Sequence, residues 1–122
     1  MTTGILDRLD AVDFDAVLAE ALGAAKTAAL AIGGETWDLA REFAKEAAKS
    51  LKDRGVAVAK SLAAGRMTED EARMLAEEDM ILARMRLRAA AGLALIAAQK
   101  VIEAILGVLR GVFQRVLGFA LF

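Results

Sequence analysis

The fold is decided by Thr68–Phe122, which reads TEDEARMLAEEDMILARMRLRAAAGLALIAAQKVIEAILGVLRGVFQRVLGFALF. Thr68 and Glu71 have the spacing of a capping box, in which each side chain accepts the backbone N–H of the other residue. Beyond them apolar residues recur at intervals of three, four and seven, and the chain contains no proline. The pattern predicts one uninterrupted helix over 69–120, which would be roughly 78 Å long. Because a compact domain of this size is only about 35 Å across, such a helix must break or project.

Two shorter helices are predicted upstream. The first covers 14–32, with Asp13 as its N-cap, and ends at Gly33-Gly34 because glycine accepts the left-handed cap conformation. The second covers 35–64, with Gly65 as its C-terminal cap. Because the turns are short, consecutive helices are expected to be antiparallel neighbours. The predicted fold is all-α, a single helical domain over 1–122: an antiparallel helical hairpin or three-helix bundle with a long, projecting C-terminal helix.

The projecting part, 99–122, is predicted to be the oligomerisation segment. The second helix can cover the third only to about residue 98, and leaving ten large apolar side chains in water would cost roughly 1.5–3 kcal/mol each. Small residues seven apart also favour close, coiled-coil packing. Glu103 and Arg110 are predicted to form an ion pair that sets the register between subunits. The predicted interface of a homo-oligomer comprises Ala97, Val101, Ala104, Ile105, Val108, Gly111, Val112, Phe113, Val116, Gly118 and Phe119.

Three other arrangements of this segment stay open. It could bend at Gly107 or Gly111 and fold back against its own monomer, since glycine in a helix costs only about 1 kcal/mol. It could bind or insert into a bilayer as an amphipathic helix, which makes a membrane surface the alternative partner. It could also dock in a groove on a different protein.

Composition argues against most site chemistry. The chain has no histidine and no cysteine, so it lacks the usual ligands of zinc, haem and iron–sulfur clusters and has no thiol nucleophile. Two acidic groups, 69–71 and 77–79, are interpreted as a helix cap and a solvated helix face. We therefore expect no enzyme activity, no cofactor and no metal.

Charge argues against nucleic acid as a partner. The 16 basic residues are balanced by 17 acidic ones, so no overall field attracts a polyanion. Arg84, Arg86 and Arg88 form a local basic group, but the acidic residues 77–79 precede it on the same helix. These arginines are interpreted as a solvated or inter-subunit salt-bridged face.

One resemblance can be drawn from Gly65-Arg66-Met67-Thr68-Glu69-Asp70-Glu71-Ala72-Arg73 together with Val108-Leu109-Arg110-Gly111-Val112-Phe113 and Gly118-Phe119-Ala120-Leu121. In composition and rhythm the C-terminal half resembles small helical proteins of tailed bacteriophages and prophages. The resemblance implies a virion component, such as a collar, tail or internal protein, present in several symmetric copies beside other virion proteins. Because Met1–Gly4 leads into acidic residues, no signal peptide is expected, and the expected location is the virion or the bacterial cytoplasm.

Overall fold

The computed structural model describes residues 4–122, which form helices and connecting turns without any strand. The helices are α1 (Ile5–Asp10), α2 (Phe14–Ile32), α3 (Gly34–Ala63), α4 (Glu69–Ala91) and α5 (Leu95–Leu117). The all-α prediction is confirmed for the described residues, and α1 is an element that the sequence analysis did not include. Residues 1–3, on which part of the signal-peptide argument depends, lie outside the described range.

The ends of α2 and α3 show which caps the sequence predicts correctly. The Asp13 carboxylate accepts the Ala16 N–H at 3.2 Å, as expected of an N-cap. Gly33 has a φ of 167°, which is extended backbone, so the predicted left-handed cap at this turn is wrong. Gly65, with a φ of 69°, does adopt the left-handed conformation just beyond the end of α3.

The start of α4 is the predicted capping box. The Thr68 hydroxyl accepts the Glu71 N–H at 3.2 Å, and the Glu71 carboxylate accepts the Thr68 N–H at 3.2 Å. Two of the four N–H groups that a helix start leaves without partners are satisfied in this way. The box therefore fixes where α4 begins.

The predicted single helix over 69–120 is wrong. Helix α4 ends at Ala91, Gly92 adopts a left-handed conformation with a φ of 67°, and α5 begins at Leu95. Gly107 and Gly111, where a bend had been considered, lie inside α5, which continues through both. A break at Gly92 costs a few intrahelical hydrogen bonds. Because the chain reverses direction there, the apolar face of α5 packs against the other helices.

Helices α2 to α5 form an up-down-up-down four-helix bundle, with α1 packed on α3 and α5 at one end. The direction of α5 follows from its partners: Phe14 at the start of α2 stacks on Phe113 near the end of α5, with ring centroids 5.8 Å apart. On the other side Arg84 Nη2 donates to Glu103 Oε1 at 2.9 Å. The predicted hairpin or three-helix bundle with a projecting helix is corrected accordingly, since α5 is the fourth helix of the bundle.

The core of the bundle is built from alanine on most helices and from large side chains on α5. Ala21, Ala25 and Ala29 are the α2 residues with no exposed surface, whereas Val101, Ile102, Ile105, Leu106, Leu109 and Phe113 of α5 are fully buried. Phe113 lies directly against Gly55 of α3, which runs through this glycine without ending. The glycine makes room for an aromatic ring.

Candidate interaction surface

The residues predicted to form the oligomer interface lie mainly inside the protomer. Six of them belong to its hydrophobic core and three pack partly buried or at its edge, while two are exposed. The buried six are Ala97, Val101, Ile105, Val112, Phe113 and Val116; the next three are Ala104, Val108 and Phe119; the exposed two are Gly111 and Gly118. The prediction that 99–122 has no intramolecular partner is therefore wrong, because the argument from reach assumed a straight helix.

The predicted register pair is present, but within one protomer. Arg110 Nη2 lies 3.7 Å from Glu103 Oε2, and the two residues are about two turns apart along α5. The other oxygen of Glu103 accepts from Arg84 of α4, and Arg110 Nε donates to the Phe122 carbonyl at 3.0 Å. These contacts tie α5 to α4 and to the residues that follow α5. The pair therefore has an intramolecular role in this structure.

The small residues of α5 and its C-cap are divided between the core and the surface, since Ala97 is buried and Gly111 and Gly118 are exposed. Gly107 and Gly111 face solvent, and a Cβ placed on either would meet nothing within 4 Å. They lie on the polar side of the helix, together with Gln99, Glu103 and Gln114.

On α4 small side chains face the core and large apolar side chains face solvent, which is the reverse of a usual surface helix. The buried residues are small, four alanines and one leucine: Ala72, Ala76, Ala83, Leu87 and Ala91. The exposed residues include Met74 (65% exposed), Ile81 (47%) and Met85 (60%). At 100° per residue these three side chains fall within an arc of about 40°, opposite the alanine face. We call Met74, Ile81 and Met85 the outer stripe of α4.

The outer stripe is the feature that the sequence analysis missed. Ile81 and Met85 belong to the periodic apolar pattern that follows Thr68, and large apolar residues in such a pattern normally mark the core face of a helix. In the structure the core face of α4 is marked by alanine at 72, 76 and 83. An alanine face can be recognised in the sequence only if alanine is weighted as a core residue in its own right.

A groove lies beside the outer stripe, between α3 and α4. Its volume is about 980 Å³. The apolar residues of its lining include Phe43, Ala47 and Leu82, and the polar ones include Asp53 and Arg86. The Arg54–Asp79 ion pair crosses one part of it. The groove widens the surface on which another helix could rest against α4.

Other large apolar side chains are exposed at the end of the bundle where α2 joins α3 and α4 joins α5. Leu30 and Ile32 of α2 are exposed there, as are Leu95 and Ile96 at the start of α5. They belong to different helices and lie near turns, so they do not form one straight stripe. This end is the main competitor to the outer stripe as a contact surface.

Within residues 4–122 no group of three or more carboxylates is arranged to hold a metal ion. None of the helices in that range combines the length and the apolar character that crossing a bilayer requires.

Comparisons with known proteins found no relative of this chain. No protein-family model, curated protein or solved structure matches this chain. The resemblance to phage proteins consequently stays a prediction, and the function has to be argued from the surface of the molecule itself.

Proposed function

We propose that this chain is a non-enzymatic structural protein that assembles into a homo-oligomer, and that it does so through the outer stripe of α4. The supporting observation is the inverted distribution of side chains on this helix. Alanine faces the protomer's own core, and Met74, Ile81 and Met85 face outwards. Contiguous apolar surface on a soluble protein commonly marks an interaction site, and methionine is well suited to such surfaces because it adapts its shape to a partner.

The proposal keeps self-assembly as the function but moves it to a different helix. The apolar face of α5 stabilises the protomer, since its large side chains are already covered by α1 to α4. On α4 the outer stripe and its neighbour Leu82 stay uncovered, each about half exposed. A place in a phage virion would be one setting for such an assembly, and it stays a prediction of the resemblance.

The energies indicate a weak, concentration-dependent oligomer. Covering the exposed half of four such side chains on each of two copies yields on the order of 6–12 kcal/mol. Association itself costs about 4–15 kcal/mol in lost translational and rotational freedom. These magnitudes correspond to dissociation constants in the micromolar range or weaker, so assembly should be measured at protein concentrations from roughly 1 to 300 µM.

Binding to a membrane surface is the second candidate, and one observation favours it. The exposed Arg88 flanks the outer stripe and Arg86 lines the adjoining groove, and basic residues near an apolar stripe are typical of a helix that lies on an anionic bilayer. The acidic Glu77 and Glu78 on the same exposed side oppose that attraction. For this reason the homo-oligomer is the preferred proposal.

Sedimentation velocity over the stated concentration range tests the proposal, with and without vesicles that contain anionic lipid. We expect the wild-type protein to show a rising weight-average mass without lipid, and the Met85→Glu variant to stay monomeric with unchanged helix content. Leu30→Glu is the matched control, because it places the same charge on a similarly exposed apolar residue of α2, which does not contact α4. A monomer throughout, or dissociation by Leu30→Glu instead of Met85→Glu, would contradict the proposal; mass gained only with vesicles would favour the membrane candidate.

A further inference from the structure

We infer that two copies pack α4 against α4 in antiparallel orientation, across a two-fold axis close to Ile81. This inference rests on the proposed function and adds the partner's orientation and register. It is drawn from the position of Ile81 in the middle of the outer stripe and from the order of charges along α4. A two-fold arrangement uses the same surface on both copies and closes at a dimer.

The order of charges distinguishes antiparallel from parallel packing. Glu77 and Arg88 lie on the same flank of the outer stripe, with the acid before the base along the helix. A two-fold axis perpendicular to two antiparallel helices brings identical flanks together in reverse order. Glu77 of one copy then lies near Arg88 of the other, whereas parallel packing would bring opposite flanks together at the same height and place Glu77 beside Glu78 of the other copy.

The charged groups that this arrangement needs are not engaged within the protomer. Across the described residues 4–122, neither Glu77 nor Arg88 has an ion-pair or hydrogen-bond partner, and both are exposed. Their neighbours on α4 are already used, since Arg84 pairs with Glu103 and Asp79 pairs with Arg54. The protomer thus leaves one acid and one base available on the flank that faces the second copy.

Engineered cysteines test the orientation, because the natural chain has no cysteine and each new thiol is therefore unique. At the two-fold axis the Ile81→Cys thiols of two copies are adjacent and should form a disulfide under mild oxidation. Met74→Cys is the matched control from the same stripe. In antiparallel packing its two copies would be about 21 Å apart along the helix axis, far beyond the roughly 7 Å between Cα atoms that a disulfide can span.

The expected result is a covalent dimer for Ile81→Cys, at protein concentrations where the wild type assembles, and little or none for Met74→Cys. Equal cross-linking of both variants would refute the antiparallel orientation while leaving the proposed function standing. An oligomer in solution without cross-linking at Ile81 would place the contact elsewhere and overturn this inference alone. A monomer in sedimentation together with no cross-linking would overturn both proposals.

Charge exchange tests the register independently. We expect Glu77→Arg and Arg88→Glu each to weaken dimerisation by about tenfold, because each creates two like-charge contacts per dimer. The Glu77→Arg/Arg88→Glu double variant restores opposite charges and should recover dimerisation to within about threefold of the wild type. Additive weakening in the double variant would exclude contact between these two positions.

Discussion

The close approach of Gly55 to Phe113 leads to a prediction that separates helix propensity from packing. A Cβ on Gly55 would come within 3.0 Å of three ring carbons of Phe113. The ring cannot easily withdraw, because it is fully buried and packed between Phe14 and Phe122, each 5.8 Å away between centroids. Gly55→Ala should therefore be opposed by an overpacking cost of about 1–3 kcal/mol.

A second glycine provides the control for this substitution. Gly107 also lies inside a helix, but its Cβ position is open to solvent. Gly107→Ala should raise the free energy of unfolding by about 0.5–1 kcal/mol through helix propensity alone. Because Gly55→Ala includes the same gain, the difference between the two variants isolates the overpacking cost. We expect Gly55→Ala to be less stable than Gly107→Ala by about 1–3 kcal/mol.

Urea unfolding followed by circular dichroism measures this difference, at one protein concentration so that any assembly affects all variants equally. A double-mutant cycle with Phe113→Leu then assigns the cost to the ring, since the penalty of Gly55→Ala should shrink when the ring is absent. If Gly55→Ala were as stable as Gly107→Ala, or if its penalty were unchanged beside Phe113→Leu, the described packing of α3 on α5 would be refuted.

Three further substitutions test the corrected path of the chain. Gly92→Ala should lower the free energy of unfolding by about 1–2 kcal/mol in urea titrations, because position 92 has a φ of 67° although no atom would clash with a new Cβ; an unchanged stability would contradict the turn. Val112→Asp should abolish most of the helical circular dichroism signal, because it places a charge on a core side chain that is only 5% exposed. Loss of oligomers with unchanged helix content would instead favour the oligomerisation segment first predicted over 99–122. Glu103→Gln should reduce stability by at most about 1 kcal/mol in thermal unfolding, since its ion pairs with Arg84 and Arg110 are partly exposed; a much larger loss would mean that the link between α4 and α5 is stronger than its exposure indicates.

Local signals in the sequence predict the helices well where they involve side-chain chemistry. Asp13 and Thr68 mark helix starts because their oxygens have specific N–H groups to accept, and Gly65 marks an end by its conformation. The polar and apolar sides of α5 can likewise be assigned from periodicity. Gln99, Glu103 and Gln114 are exposed, and Ile105 and Val112 are buried, as the projection indicates.

The turn at Gly92 could not be predicted by local reasoning. It lies in an alanine-rich run without proline or a capping side chain, Ala89-Ala90-Ala91-Gly92-Leu93-Ala94, where helix propensity alone favours continuation. The decision is made by distant contacts, since burying the α5 side chains yields far more free energy than one turn costs. The same limit applies to the candidate site: periodicity shows which residues of α4 share a face, but not which face the bundle covers.

The position of α5 among the other helices has a consequence for how the chain acquires its structure during synthesis. The helix that all the others contact is translated after them, and its most extensive packing is with α2, made roughly eighty residues earlier. Until it emerges, α2 and α4 have mainly alanine to present on the sides that will later be buried. A nascent chain that stops short of α5 therefore has few large side chains on the α2 and α4 faces that α5 later covers, and the large side chains of α5 emerge when those faces already exist.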